Sequence, residues 1–278
     1  MKKSIIVKAA IQDVIQIMME RVMQRVLVTD PFVAEKHHAS RPLYAALVPD
    51  EIFKGAHFER RFVTQFGGAW EKLAVVAANA GLGFGVAGYE IKGTIREGRL
   101  QRISQVLNSL EHPEKGKGRV HPNWENELNF IMEGNGQPIP ASIICDVYAE
   151  NKETGEKYSF ELKSPLPNSD ITKVSKEKIL KLYCMEPPQV SAAFFALPFN
   201  PYGGRNDYDW GFPARWFDMK HDPVVLIGDE FWEKIGGLGT YQAFISAVNE
   251  IGTEYKERIY REFLGIEPPP DAKLNIIK

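Results

Sequence analysis

A chain of 278 residues is long enough to bury a large core, and a composition that is 44% hydrophobic and 25% charged is that of an ordinary globular protein rather than a disordered or fibrous one. The net charge of −2 excludes a uniformly basic nucleic-acid coat but leaves room for a local basic cleft. Cys145 and Cys184 lack both the spacing of a zinc site and the density of a disulfide scaffold, which fits a reducing cytoplasm. No stretch approaches the roughly 20 apolar residues of a membrane span. The basic start Met1-Lys2-Lys3 leads into an apolar run that Lys8, Gln12 and Asp13 interrupt too early for a secretory leader.

Over residues 4–26, Val7, Ile11, Val14, Met18 and Val22 recur at helical spacing and predict an amphipathic helix, packed on the core or on another subunit. Asp30-Pro31 ends it, and the segment through His37, His38, Arg41 and Pro42 reads as a connecting loop. The paired histidines have no carboxylate or cysteine at ligand spacing with which to hold a metal. Pro49-Asp50-Glu51 starts a second helix whose apolar face runs from Ile52 through Phe58, Phe62, Phe66 and Leu73 to a stop at Asn79-Ala80-Gly81. Gly67-Gly68 is expected to bend or divide it.

Residues 83–88 spell Gly-x-Gly-x-x-Gly, the dinucleotide fingerprint, but a helix precedes them and strand-like alternation follows at 89–95, the reverse of what that motif requires. The run is read as a flexible glycine-rich connection. Leu100, Ile103, Val106, Leu107 and Leu110 form another helical stripe, beside which Arg96, Arg99 and Arg102 are either a solvated face or a phosphate contact. A mobile basic loop over 112–119 follows, and then a run containing Trp124, Glu125, Glu127 and Glu133.

Residues 143–148 are apolar and β-prone, 151–156 are a polar turn containing Gly155, and 158–163 resume an extended pattern. Two adjacent antiparallel strands follow from this. Residues two apart on a strand share a face, so Glu161 and Lys163 point the same way, with Phe160 and Leu162 on the other side and Asp146 beside the pair across the hairpin. Two carboxylates and an ammonium are costly to bury without a partner. A divalent cation supplies one: the hard oxygens of Asp146 and Glu161 suit Mg²⁺, which takes a substrate phosphate, while Lys163 orients the attacking water or offsets charge at the phosphorane. The chemistry indicated is metal-assisted phosphodiester hydrolysis; the bland alternative is an exposed Glu161–Lys163 ion pair.

After Lys163, residues 164–170 stop the strand, and Asp170 or Thr172 caps a helix reaching about Cys184, around which Lys173, Lys176, Lys178 and Lys181 are spread without forming a stripe. A buried strand is expected over 190–197, and then a long loop at 199–216 whose Asn200, Arg205, Asn206 and Asp207 carry groups able to read base edges. Residues 224–227 read as a last strand. A short helix begins at Gly228-Asp229, a long one covers about 240–264, and the tail after Pro268 is loosely held.

An acid on one strand, a turn, Glu-x-Lys on the next strand, then a helix and an apolar strand together resemble the core of the PD-(D/E)XK nucleases. Here Asp146, preceded by Cys145 and not by proline, and Glu161-Leu162-Lys163 stand at the motif positions. The stretches 62–71, 160–170, 199–203 and 227–232 are similar to type II restriction endonucleases of the TdeIII/MjaII kind. The resemblance implies an α/β fold with a mixed central β-sheet flanked by helices, a restriction-endonuclease-like core with added N- and C-terminal helices. As a single nuclease domain it would divide into a helix and loop at 1–48, a catalytic core at 49–235, and a C-terminal helix and tail at 236–278. It also implies Mg²⁺-dependent cleavage of double-stranded DNA at a short sequence, with Asp146, Glu161 and Lys163 catalytic and Asp146 and Glu161 holding the metal. Glu71, in the Gly-Gly-Ala-Trp-Glu run, would complete the metal site, with Glu59 or an acid in 125–133 in reserve. Lys173 or Lys176 would touch phosphate, and Asn200, Arg205 or Asn206 the bases. A palindromic target would imply a two-fold homodimer. The competing expectations are a repair or junction-resolving nuclease on the same core and an inert DNA-binding protein.

Overall fold

The computed structural model describes residues 2–112, 118–270 and 277, with side chains from Ile6 onward. Most of the expected basic loop, at 113–117, and nearly all of the tail beyond residue 270 lie outside the described residues. In chain order the elements are α1 (Lys2–Gln24), α2 (Ala34–Ser40), α3 (Pro42–Leu47), α4 (Asp50–Gly81), β1 (Gly83–Arg96), α5 (Glu97–Glu111), α6 (Trp124–Met132), β2 (Pro138–Asn151), β3 (Lys157–Leu162), α7 (Ser169–Tyr183), β4 (Met185–Glu186), β5 (Ala192–Leu197), β6 (Val225–Ile227), α8 (Asp229–Gly236) and α9 (Thr240–Arg258). π-Helical turns extend α1 over Arg25–Thr29 and α9 over Ile259–Leu264. The chain forms two compact units, one of residues 1–73 with 242–278 and the other of residues 74–241.

The first unit is helical. α1 buries Val7, Ile11, Ile15, Met18 and Val22, the stripe expected from the spacing but with Ile15 in place of the half-buried Val14. Val22, Val26 and Phe263 close a small core against Phe58 and Phe62 of α4. The expected loop around His37 and His38 is instead the two helices α2 and α3. Pro42 is the first residue of α3, where its fixed φ favours a helix and its missing N–H costs nothing. His38 meets the Asp50 carboxylate at 2.8 Å, and His37 packs on the Phe53 ring with 4.1 Å between centroids. The pair Gly67-Gly68 does not divide α4. Phe62, Phe66 and Trp70 form an aromatic ladder alongside it, with centroid spacings of 5.5 and 4.8 Å, that holds the helix through its weakest point.

The second unit is built on a six-stranded mixed sheet of order β4-β1-β2-β3-β5-β6. β4, β1, β2 and β3 pair antiparallel, whereas β3, β5 and β6 run parallel. α5 and α7 lay Ile103, Leu107, Ile179 and Leu180 against Ile95, Phe195 and Val225 of the sheet, while α8 places Phe231 edge-on to Phe160, 5.7 Å away. This is the mixed central sheet flanked by helices that the resemblance implies. The glycine run is not a flexible connection: it is the first half of β1, paired from Gly83↔Asn151 to Ala87↔Val147. Glycine is needed at 85 because a Cβ there would stand 2.5 Å from the Ala78 Cβ on the last turns of α4. Gly88, at φ +64°, falls where the ladder would set it opposite Asp146 and leaves open space there. The cap of α7 is Asn168, whose side chain accepts from the Ile171 N–H at 3.0 Å. Neither Asp170 nor Thr172 fills that role; the Thr172 hydroxyl donates back to the Asn168 carbonyl.

Candidate active site

The register of the β2–β3 hairpin, with Val147 paired to Phe160, sets Asp146 opposite Glu161 at the next position. Asp146 is fixed by two donors on one oxygen: Oδ2 accepts from the Leu162 N–H at 2.8 Å and from Lys163 Nζ at 2.7 Å. Lys163 also donates to the Leu162 carbonyl at 2.8 Å and lies 3.5 Å from Glu161 Oε2. The three expected residues therefore stand together on one hairpin, with Asp146 and Lys163 each about one-fifth exposed and Glu161 only 1% exposed.

Glu161 is the electrostatically stressed member. Burial, and then repulsion from the Asp146 carboxylate, push its pKa up to about 6 against the pull of Lys163 and Lys178. Lys178 is the participant that sequence reasoning missed. Its Nζ lies 2.9 and 3.0 Å from the two Glu161 oxygens. A signal for it was present in the connection. A helix joining β3 to the parallel strand β5 has to run back over the sheet, so the lysines on its sheet-facing side are candidates to meet side chains of β3. The cluster thus contains two carboxylates and two ammonium groups.

Among the described residues no group of three or more His, Cys, Asp or Glu is arranged so that it could hold a metal ion, and Asp146 and Glu161 stand as a pair. Glu71 and Glu59 lie on α4 within the helical unit. Of the reserve acids, Glu127 is tied to Lys176 at 2.5 Å and Glu133 to Arg102 at 2.8 Å.

The expected DNA contacts divide. Lys176 is fully buried, bonded to Glu127 and to the Trp216 carbonyl and lying over the Phe217 ring, so it cannot meet a phosphate arriving from solvent. Asn200 is 6% exposed and shapes its own loop, donating to the Gly204 carbonyl and accepting from the Tyr202 N–H. Arg205 braces two segments, bonding the carbonyls of Met219 and Asp222 and the Glu230 carboxylate. In this structure these three side chains have their polar groups engaged inside the protein. Lys173 is partly exposed in an ion pair with Glu111, and Asn206 is exposed on the turn Arg205–Asp207. Arg99 is likewise structural, buried against Glu186 at 2.6 Å. Among the described residues no helix is long and apolar enough to cross a membrane.

Comparison with known proteins agrees with this chemistry. Residues 7–252 match the family model described as "Type II restriction endonuclease, HinfI". The chain is 24% identical over 229 residues to the type II restriction enzyme HgiCII of Herpetosiphon aurantiacus, covering 81% of this chain and 82% of that one. It is 26% identical over 236 residues to the type II restriction enzymes HgiBI and HgiEI of the same organism, covering 81% of each chain. The family displaces both competing expectations, the repair nuclease and the inert binding protein. The chain belongs to the HinfI family of type II restriction endonucleases and is a site-specific deoxyribonuclease.

Proposed function

We propose that this enzyme cleaves double-stranded DNA at the β2–β3 hairpin in the manner of the PD-(D/E)XK nucleases, with Asp146 and Glu161 holding Mg²⁺ and Lys163 serving the attacking water. The observation that carries this reading is the meeting of those three side chains, with Lys163 Nζ 2.7 Å from Asp146 and 3.5 Å from Glu161. The donor set fits a hard divalent cation, since two carboxylates are adjacent and burial, then repulsion from Asp146, oppose ionisation of Glu161, both of which a divalent ion would offset. Bound there, the ion supplies charge to the scissile phosphate and activates water.

The chain's own residues prepare that step. The Leu162 N–H and Lys163 hold one oxygen of Asp146, leaving Oδ1 for an incoming ligand. Lys163, anchored on Asp146 and on a backbone carbonyl, keeps a third donor for a water or a phosphate oxygen. Lys173 and Asn206 are the proposed DNA contacts, because Asn206 is exposed and Lys173 is partly exposed in a surface ion pair that a phosphate could replace. Action on a palindromic site would call for a two-fold dimer, each subunit cutting one strand.

Digestion of a DNA of known sequence with Mg²⁺, followed by mapping of the ends, should give discrete fragments from the wild type. D146A and K163A should lose cleavage by about 10³-fold or more, the scale of removing a positioned catalytic group, while still shifting the same DNA in a Ca²⁺-containing gel. Wild-type cleavage rates in both variants would refute the assignment.

A further inference from the structure

We propose that Lys178 is the resident counter-ion of the metal site: in the metal-free enzyme its ammonium occupies both oxygens of Glu161, and a divalent ion has to take that carboxylate from it. This rests on reading Asp146 and Glu161 as the metal ligands.

Lys178 Nζ contacts Glu161 Oε1 at 2.9 Å and Oε2 at 3.0 Å, so one cation engages the whole carboxylate. Glu161, at 1% exposed, has almost no access to water as a substitute. Lys163, the other cation within reach, directs its bonds to Asp146 and to the Leu162 carbonyl and stands back at 3.5 Å. Both ammonium groups compensate Glu161 by their charge, but Lys178 is the one hydrogen-bonded to its two oxygens.

Lys178 is also built to leave. Its side chain is 28% exposed and comes from α7, not from the hairpin, so the head can swing into water without moving a ligand strand. Lys176, two residues earlier on the same helix, shows the contrast: it is wholly buried on Glu127. Metal binding is then an exchange of cations on Glu161. With two carboxylates and two ammonium groups the cluster starts neutral; adding a divalent ion leaves two positive charges in excess, which drives the Lys178 ammonium outward and makes it available to the incoming DNA backbone.

The test is Mn²⁺ binding to the full-length protein at pH 8, above the value of about 6 for Glu161, followed by electron paramagnetic resonance of the free ion. K178M and K178Q remove the competitor and should bind Mn²⁺ on the order of tenfold more tightly, the scale of one charge-assisted hydrogen bond. K178R replaces the ammonium with a fork that grips a carboxylate more firmly and should bind several-fold more weakly, by roughly the same reasoning. A merely structural role would shift all three in one direction. Unchanged or weakened binding in K178M and K178Q, or unchanged or tightened binding in K178R, would overturn the proposal. E161Q separates the two readings. If it keeps wild-type Mn²⁺ binding, or if the wild type binds none, the metal-site reading itself fails and this proposal with it.

Discussion

Replacing Lys176 with alanine isolates what this lysine does, because the two roles open to it predict opposite results. In the structure its side chain is 0% exposed, its Nζ is 2.5 Å from Glu127 Oε2, and it donates to the Trp216 carbonyl over the face of Phe217. Burial dominates both partners, pushing the Glu127 carboxyl up and the Lys176 ammonium down towards their neutral forms. K176A removes the compensating charge and leaves Glu127, 11% exposed, buried and unpaired. Breaking a buried pair in this way costs about 3–5 kcal/mol, a large part of the roughly 5–15 kcal/mol that holds a typical domain. The double variant K176M/E127L replaces the pair with apolar volume and should recover to within about 2 kcal/mol of the wild type. Urea denaturation at 25 °C measures both. In parallel, DNA affinity of the folded protein should keep its salt dependence in K176M/E127L, whereas loss of a phosphate contact would lower the slope by about one. A K176A protein of wild-type stability with a reduced salt slope would refute the reasoning and return Lys176 to the DNA interface.

Other consequences can be checked directly. In metal-free protein the Glu161 carboxyl titrates at about 6 instead of 4.5, so between those values the native state holds a proton that the unfolded chain has released. The stabilisation is complete below about pH 4.5 and is lost as pH rises through about 6, a fall of about 2 kcal/mol. Stability across that range should fall more steeply in the wild type than in E161Q, which keeps only what other raised carboxyls such as Glu127 contribute; equal slopes would refute it. R205A should lower stability by about 1–3 kcal/mol, because the Met219 carbonyl loses its donor and Asp222 and Glu230 keep only the backbone N–H groups of Val225 and Ile227. It should also leave the fragment pattern from a mapped DNA unchanged, and a relaxed or altered pattern would mean that Arg205 reads a base after all.

The sequence made the hairpin legible because its information is local. Alternation places Glu161 and Lys163 on one side, and a six-residue polar break returns the chain beside Asp146. The stripe of α5, the helix α7 and the apolar runs of β5 and β6 were likewise legible, whereas α6, β4 and the first half of β1 were not. What was not legible depended on partners distant in sequence. Lys173, Lys176 and Lys178 are chemically alike and lie within one and a half turns. One pairs at the surface, one is buried on Glu127 and one grips Glu161. No spacing rule separates them, since the difference lies in what α6, Trp216 and β3 present to each face. Asn200 and Arg205 show a related ambiguity: the donors and acceptors that suit a base edge also suit a loop's own carbonyls, which is where this structure places them. The glycine run was taken for a joint because glycine weakens strands, but here bare backbone is what lets α4 approach β1 at Gly85.

The pairing of Val147 with Phe160 carries a rule of parity for this hairpin. Insertions in the polar bend between the strands should cost little, because it joins two ends already fixed by their neighbours and loop-closure cost grows slowly with length. One residue added inside 157–161, by contrast, would rotate every following side chain through the sheet, sending the acid among the aromatic rings and a phenylalanine towards the lysines. Natural variation in this enzyme should therefore accumulate at the bend and stop abruptly at its edges, and any transplant of the catalytic segment into another scaffold must preserve an odd-or-even count before it preserves anything else.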